Sequence, residues 1–154
     1  MSEVTDIPEG YELYPGDGSF NDACGPMYMK FEEGEPPRFA IKVEKHLLNP
    51  MGICHGAVYM ALLDMAFPSV IGHAMGKYTG TPTMNININY LKLAKEGEWL
   101  FADAVCDKVA RTAAFVHASV VNQDGEIKAT ATGVFKVPSD LKATADISDV
   151  PNEK

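Results

Sequence analysis

The stretch from Asn49 to Phe67, NPMGICHGAVYMALLDMAF, decides the fold because it opens a long apolar run and places a single acid inside it. From about His55 to Gly76 the chain is hydrophobic nearly all round, which predicts a helix that other parts of the protein must cover on most sides. Asp64 lies in the middle of this run. A carboxylate there indicates either a catalytic group or a structural hydrogen-bond acceptor, and spacing alone favours neither.

Alternating apolar and polar residues predict strands on both sides of the helix. The predicted strands cover residues 39–43, 84–90, about 98–107, about 112–121 and 127–137, with a hairpin signal at Asp124-Gly125. One sheet of about five strands can cover such a helix only in part. We therefore predict an α+β domain in which one long central helix lies across a curved antiparallel sheet, and which forms at least a dimer.

The length of 154 residues and the hydrophobic share of 46% suit one domain. We predict a flexible N-terminal segment at 1–20, the domain at 21–138 and a flexible C-terminal tail at 139–154. The N-terminus lacks the basic start and apolar core of a signal peptide. The three cysteines have neither disulfide-framework nor zinc-site spacing, so we expect a cytoplasmic protein.

The balance of charge argues against polyanionic partners. Thirteen Lys and Arg stand against 21 Asp and Glu, a formal charge of −8, so we expect neither nucleic acid nor a membrane surface to bind. A small anionic ligand would need a local cationic spot, and the only arginines are Arg38 and Arg111. The apolar run also resembles a membrane span, but Asp64 would then cost about 2.5–3.5 kcal/mol near the bilayer centre.

The spacing of His55 and Asp64 predicts a site shared between subunits. Nine residues of helix separate them by about 13 Å along the axis and roughly half a turn around it. On one straight helix the two cannot serve one small site, whereas across a two-fold axis they can. The unpaired N–H groups at a helix start suit a carbonyl oxygen that becomes negative during acyl transfer. Asp64 is then available as a nucleophile or as a general base.

Other reaction chemistries have weaker signals. Cys54 beside His55 could serve as a thiol nucleophile, but neighbours at a helix start point in different directions. His46, His73 and His117 show no metal-ligand spacing, and no G-x-S-x-G motif is present. We expect neither a metal nor a cofactor.

The motif in Asn49–Phe67 resembles the N-x-x-G-x-x-H-G-G-x-x-x-x-L-x-D-x-A signature of hotdog-fold acyl-CoA thioesterases of the phenylacetate-pathway (PaaI-like) type. The later segments, with a tyrosine strand, an Arg-Thr turn and a closing hairpin, are similar as well, so that the resemblance covers about residues 39–137. It implies a hotdog fold with about five to six strands, hydrolysis of an acyl-CoA, and a homodimer with shared active sites that often pairs into a tetramer.

The resemblance also implies roles for particular residues. The Gly56 N–H would polarise the thioester carbonyl, and Asp64 of the other subunit would attack it or activate water. Asn49 and Thr83 would position the acid or the water, and His55 would support the oxyanion end. The expected substrate-binding residues are Arg111 and Thr112 for the coenzyme A phosphates, and Tyr59, Met60 and Phe67 for an aryl or medium-chain acyl group.

Two positions depart from the family pattern. Ala57 replaces the second glycine of His-Gly-Gly, and Leu93 stands in place of the proline after the tyrosine strand. Alanine is favourable inside a helix, so the Gly56 donor can persist while the space beside it narrows. Two alternatives to a thioesterase stay open, a hotdog dehydratase or hydratase and a non-catalytic acyl-CoA-binding module.

Overall fold

The computed structural model describes residues 5–139, which form one long helix and a single sheet. The elements are β1 (Tyr11–Leu13), α1 (Phe20–Cys24), β2 (Met27–Lys30), β3 (Arg38–Lys42), a short 3-10 helix (Lys45–Leu47), α2 (Gly56–Met75), β4 (Thr83–Tyr90), β5 (Trp99–Val109), β6 (Ala113–Asn122) and β7 (Ile127–Lys136). The predicted helix and all five predicted strands are present, with ends that differ by at most two residues.

The sheet is antiparallel and its strands follow the order β1-β2-β3-β5-β6-β7-β4. Helix α2 packs against β3, β5 and β6 and also contacts β4. This arrangement confirms the predicted α+β architecture. The sheet has seven strands because the N-terminal part adds β1 and β2, which are three and four residues long. Strands this short carry too little alternation to be recognised from sequence.

Residues 1–4 of the predicted flexible segment 1–20 lie outside the described part of the chain, and the rest of the segment contains β1, which pairs with β2. Asp6 of the same segment forms an ion pair with Lys42, and it accepts a hydrogen bond from the Trp99 indole at 3.4 Å. The N-terminal part therefore attaches to the sheet beside β3 and β5. Of the predicted tail at 139–154, residues 140–154 lie outside the described part of the chain.

Helix α2 is long and apolar enough to cross a membrane by length and composition. In the folded chain, however, 61% of its most apolar window is buried inside the protein. The helix ends at Gly76, whose φ of 68° is the left-handed conformation of a glycine cap. Pro68 lies inside the helix and removes the N–H that would bond to the Asp64 carbonyl. We therefore interpret the apolar run as the central helix of this fold.

Strand β4 is an edge strand, and its inner face is incompletely covered. It pairs with β7 on one side, while no strand within residues 5–139 pairs with its other side. Met84 and Tyr90 are 63% and 55% exposed, and Ile86 and Ile88 between them are half-buried. An exposed edge with apolar side chains is a surface on which a second chain can pair.

A buried lysine fastens the loop that follows β4. Lys128 is only 5% exposed and forms ion pairs with Glu98 at 3.0 Å and Glu126 at 2.6 Å. Its ammonium group also donates a hydrogen bond to the Leu93 carbonyl at 2.9 Å. The carbonyl of the next residue in this loop, Ala94, accepts a hydrogen bond from the N–H of Cys54, which lies just before α2. The ion pairs thus help to hold the start of the helix.

We expect Lys128→Met to lower the free energy of unfolding by about 3 kcal/mol, because it leaves the largely buried Glu98 carboxylate without its cation. The hydrogen bond from Lys128, followed by that from Lys92, lowers the pKa of Glu126 from 4.5 to about 2. A carboxyl with a lowered pKa stabilises the fold above its unfolded pKa, and this stabilisation is lost as the pH falls through the folded pKa. The variant should therefore lose less further stability than the wild type between pH 4.5 and 2.

Denaturant unfolding at several pH values measures both effects. Lys92→Met is the matched control, because it removes only the exposed partner of Glu126. Equal unfolding free energies for the Lys128 and Lys92 variants at neutral pH would contradict the prediction.

Candidate active site

The start of α2 is held by hydrogen bonds on both sides of Gly56. His55 is the N-cap, and its Nδ1 accepts from the Ala57 N–H at 3.0 Å, which places the proton of the neutral imidazole on Nε2. The His55 N–H donates to the Leu47 carbonyl at 2.8 Å, and the Val58 N–H donates to the His55 carbonyl at 3.0 Å. The neighbouring N–H groups are therefore occupied, and the backbone at this turn is fixed.

The Gly56 N–H is different, because it donates no hydrogen bond to any acceptor within residues 5–139. It is the first N–H of a 20-residue helix, where unpaired donors and the helix dipole favour negative charge. The side of Gly56 is also closed by an aromatic ring. The Tyr90 hydroxyl donates to the Gly56 carbonyl at 2.8 Å. One oriented N–H is thus available to a ligand.

Asp64 lies two turns further along α2 and is held from β4. Its Oδ1 accepts a hydrogen bond of 2.6 Å from the hydroxyl of Thr83, the first residue of that strand. The sequence suggested apolar surroundings for this acid, yet the side chain is exposed in the single chain. The reason is that α2 leaves a stripe uncovered, formed by Ala57, Met60 and Asp64, with a spacing of three and four residues.

The single chain does not bring Gly56 and Asp64 together. Eight residues of helix separate them, which is about 12 Å along the axis. Gly56 is held at the Tyr90 end of β4, whereas Asp64 is held at the Thr83 end of the same strand. The donor and the acid of one chain therefore belong to opposite ends of one edge strand.

Asn49 organises the loop that leads into α2. Its Oδ1 accepts from the N–H groups of Met51 at 2.9 Å and Ile53 at 3.4 Å, and its own N–H donates to the Ile53 carbonyl at 2.8 Å. None of the described hydrogen bonds joins Asn49 to Asp64. Its predicted contact with the acid or the water stays a prediction, and its observed role is to shape the turn before His55.

The predicted acyl-binding residues lie at different depths. Met60 is on the uncovered stripe and 40% exposed. Tyr59 is buried, and its ring meets that of Tyr90 edge-on at 5.3 Å. Phe67 has no exposed surface and packs against Phe135. In this chain only Met60 offers surface to a ligand directly, while Tyr59 and Phe67 can shape a site by supporting other residues.

Arg111 and Thr112 form the turn between β5 and β6, and both are exposed. The Thr112 carbonyl accepts from the Val137 N–H at 3.0 Å, and the neighbouring Lys136 N–H donates to the Pro82 carbonyl at 2.8 Å. Since Pro82 immediately precedes Thr83, the Arg111 turn lies at the Asp64 end of β4. A cationic group is thus present on the acid's side of the molecule.

Cys54 is not suited to act as a nucleophile. Burial raises the pKa of its thiol to about 12, and the charge of Glu98 contributes to the rise. The thiolate, which is the reactive form, is therefore scarce at neutral pH. Acid-based chemistry agrees better with this geometry than thiol chemistry.

Comparison with known proteins identifies the family of this chain. The family model described as "Thioesterase superfamily" matches residues 51–129, just over half of the chain, and includes both Gly56 and Asp64. The chain belongs to the thioesterase superfamily. A provisionally named esterase of Archaeoglobus fulgidus is 32% identical over 134 residues, which cover 86% of this chain and 84% of that protein.

Solved structures place this thioesterase superfamily member among hotdog proteins, which confirms the fold inferred from the resemblance. A mutant of the phenylacetic acid degradation protein PaaI from Thermus thermophilus is similar with a TM-score of 0.65 and 25% identity, covering 77% of this chain and 98% of that one. A hypothetical thioesterase from Streptococcus pneumoniae, solved with coenzyme A, has a TM-score of 0.65 and 24% identity, with 75% and 91% coverage.

Sequence reasoning missed Tyr90 as a residue of this site. In the sequence, Tyr90 is only the last residue of the alternating run 84–90, because a contact with a residue 34 positions away leaves no local signal. Its place at the end of an alternating run, with an aromatic hydroxyl where a strand meets a helix start, was the only available hint.

We expect His55→Ala to lower the free energy of unfolding of this thioesterase superfamily member by about 1 kcal/mol, because the Ala57 N–H loses its cap. His55→Asn should retain most of the stability, since asparagine is a good N-cap. Thermal and denaturant unfolding of the three proteins measure the difference. If both substitutions cost the same, the imidazole stabilises the helix by something other than capping.

Proposed function

We propose that this protein is an acyl-CoA thioesterase, which hydrolyses an acyl-CoA to the free acid and coenzyme A. The observation that carries the proposal is the unpaired Gly56 N–H at the start of an apolar helix, combined with a hydrogen-bonded acid on the uncovered stripe of the same helix. Membership of the thioesterase superfamily supports the reaction class. The coenzyme A in the Streptococcus pneumoniae structure makes CoA thioesters the class to test.

In this proposal the Gly56 N–H donates a hydrogen bond to the thioester carbonyl oxygen. This bond stabilises the negative charge that develops on that oxygen. Asp64 either removes a proton from the attacking water or attacks the carbonyl carbon itself, in which case water later hydrolyses the anhydride. Both routes break the carbon–sulfur bond and pass a proton to the departing thiolate. Thr83 fixes one carboxylate oxygen, so the other oxygen is free for the reaction.

The two groups can meet through a homodimer formed by β4. If two copies of this edge strand pair antiparallel across a two-fold axis near Ile86 or Asn87, the Thr83 end of one strand approaches the Tyr90 end of the other. Asp64 of one protomer then faces Gly56 of its partner, and each dimer has two equivalent sites. The exposed Met84 and the half-buried Ile86 and Ile88 provide apolar surface for this contact.

The same pairing suggests where coenzyme A lies. The Arg111-Thr112 turn is at the Asp64 end of β4, so its guanidinium is available to the phosphates of a molecule whose thioester is between Gly56 and Asp64. Met60 on the uncovered stripe, beside Ala57, offers apolar surface to the acyl group. A dimer of such dimers is the larger assembly that we propose.

We expect the protein to release free thiol from at least one member of a panel of short, medium, long and aryl-acetyl CoA thioesters. Asp64→Ala should lower the rate by about 10² or more, because it removes the nucleophile or general base. The measurement follows free thiol and remaining thioester together. Thr83→Ser, which keeps the hydroxyl, is the mild comparison, and circular dichroism verifies that each variant is folded.

Each contrary result has a distinct meaning. Equal thiol release by the wild type and Asp64→Ala makes the acid structural. Thioester loss without thiol indicates dehydratase or hydratase chemistry, and saturable acyl-CoA binding without turnover indicates a binding module.

The shared site can be tested with two inactive chains. Gly56→Pro removes the N–H at the first helical position, where proline is tolerated, and the extended backbone of His55 (φ −65°, ψ 136°) is compatible with a following proline. We expect it to lower the rate by about 10²–10³, as for loss of one oxyanion donor. A purified heterodimer of one Gly56→Pro chain and one Asp64→Ala chain should recover about half of the wild-type activity. One of its two sites then combines an intact Gly56 with an intact Asp64.

Gly56→Ala is the matched control because it adds the same Cβ beside Tyr90 but keeps the N–H. It should retain far more activity than Gly56→Pro. An inactive heterodimer would show that the donor and the acid must come from one chain, and the proposed pairing through β4 would then be rejected.

A further inference from the structure

Tyr90 contacts Gly56 through both its hydroxyl and its ring. The hydroxyl donates to the Gly56 carbonyl at 2.8 Å, although the two residues are 34 positions apart. The ring meets that of Tyr59 at 5.3 Å with an angle of 86° between the planes, and Tyr59 is buried in the core. The ring is therefore fixed from the core side, and its hydroxyl is directed at the first carbonyl of α2.

We propose that Tyr90 is a positioning residue for thioester hydrolysis and that it acts through Gly56; this inference rests on the proposed function. The N–H and the carbonyl of Gly56 belong to two peptide planes joined at one α-carbon. The hydrogen bond from Tyr90 holds the carbonyl plane and so restricts one of the two rotations at that carbon. Because His55 is held on the other side, the N–H then has less freedom to change its direction. An oxyanion donor is effective only when its direction is set before the charge appears.

The absence of a side chain at Gly56 also contributes to its contact with Tyr90. A Cβ on this residue would lie 3.1 Å from the Tyr90 hydroxyl oxygen and 3.2 Å from the ring carbon that bears it. The glycine therefore permits the ring to approach the helix start this closely. The glycine thus leaves room for the Tyr90 ring beside the N–H donor.

Two restraints thus act on Gly56 from opposite sides. On its N-terminal side, His55 is fixed by its bonds to Ala57 and Leu47. On its C-terminal side, the helix and the Tyr90 hydroxyl fix the carbonyl. Loss of the hydroxyl leaves the cap, the helix and the ring contact with Tyr59 in place. Its removal should therefore alter the direction of one donor without unfolding the chain.

The test is the variant Tyr90→Phe, which keeps the ring and removes the hydrogen bond. We expect kcat to fall by about three- to tenfold, in line with the loss of one neutral hydrogen bond, while KM stays nearly unchanged. Tyr78→Phe is the matched control. The Tyr78 ring also packs against a glycine of α2, Gly72, but its hydroxyl bonds to no residue within 5–139. This control should keep the wild-type kcat.

A pair of unreactive ligands provides a readout that does not depend on turnover. A CoA ketone, with CH₂ in place of sulfur, presents a carbonyl to Gly56, whereas a CoA thioether of the same length does not. Tyr90→Phe should weaken binding of the ketone and leave the thioether unchanged. A purely structural role for Tyr90 would weaken both ligands and lower the melting temperature.

The outcomes separate this inference from the proposed function. If the wild type hydrolyses no thioester, the proposed function fails and the inference fails with it. If the wild type is active and Tyr90→Phe has the same kcat, only the inference is overturned. A raised KM at unchanged kcat would also overturn it, since it would mean that Tyr90 contacts the substrate directly.

Discussion

The structure depends on the burial of α2, a helix too apolar for the single sheet that supports it. A sheet can cover only one side of a helix, and the residues of α2 that face the strands are mostly buried. The remaining stripe through Ala57, Met60 and Asp64 is exposed in the single chain. The acid is therefore on a part of the helix that the protein's own sheet leaves open.

The edge of the sheet is incomplete at the same place. One side of strand β4 is unpaired within the described residues 5–139. The strand also carries Thr83 at one end and Tyr90 at the other, the residues that contact Asp64 and Gly56. Thus the surface on which a second chain can pair is directly connected to both parts of the candidate site. Assembly and catalysis would then have one structural cause, because pairing of the edges covers the stripe and brings together groups that one chain keeps apart.

Much of this arrangement could be predicted from the sequence because its signals are local. The helix follows from one apolar run, and the longer strands follow from alternation. The glycine and the acid belong to one motif, and the rise of a helix sets the distance between them.

Short elements and long-range contacts could not be predicted. Strands β1 and β2 have too few residues to show a period. They are defined by pairing, β2 with β3 and β1 with β2. The exposure of Asp64 and the burial of Phe67 depend on which face of α2 meets the sheet, and an all-round apolar helix does not indicate that face. The use of the Asn49 side chain within its own turn was also hidden, since a motif gives positions but not hydrogen-bond partners.

Exposure of the acid in the single chain has a chemical consequence. In water, the attraction between a helix start and a developing oxyanion is weak, and a solvated carboxylate is a poor nucleophile or base. Both would become effective when water is excluded, and in the proposed homodimer the partner would cover the stripe. The local parts of the site, the capped helix start with its Tyr90 contact and the Thr83-bound acid, are ordered within one chain. In the proposed homodimer, each chain would still need the second half of its site and a cover that excludes water. Dimer formation would supply both at once, because the same edge strand that orders the two halves also aligns them across the two-fold axis.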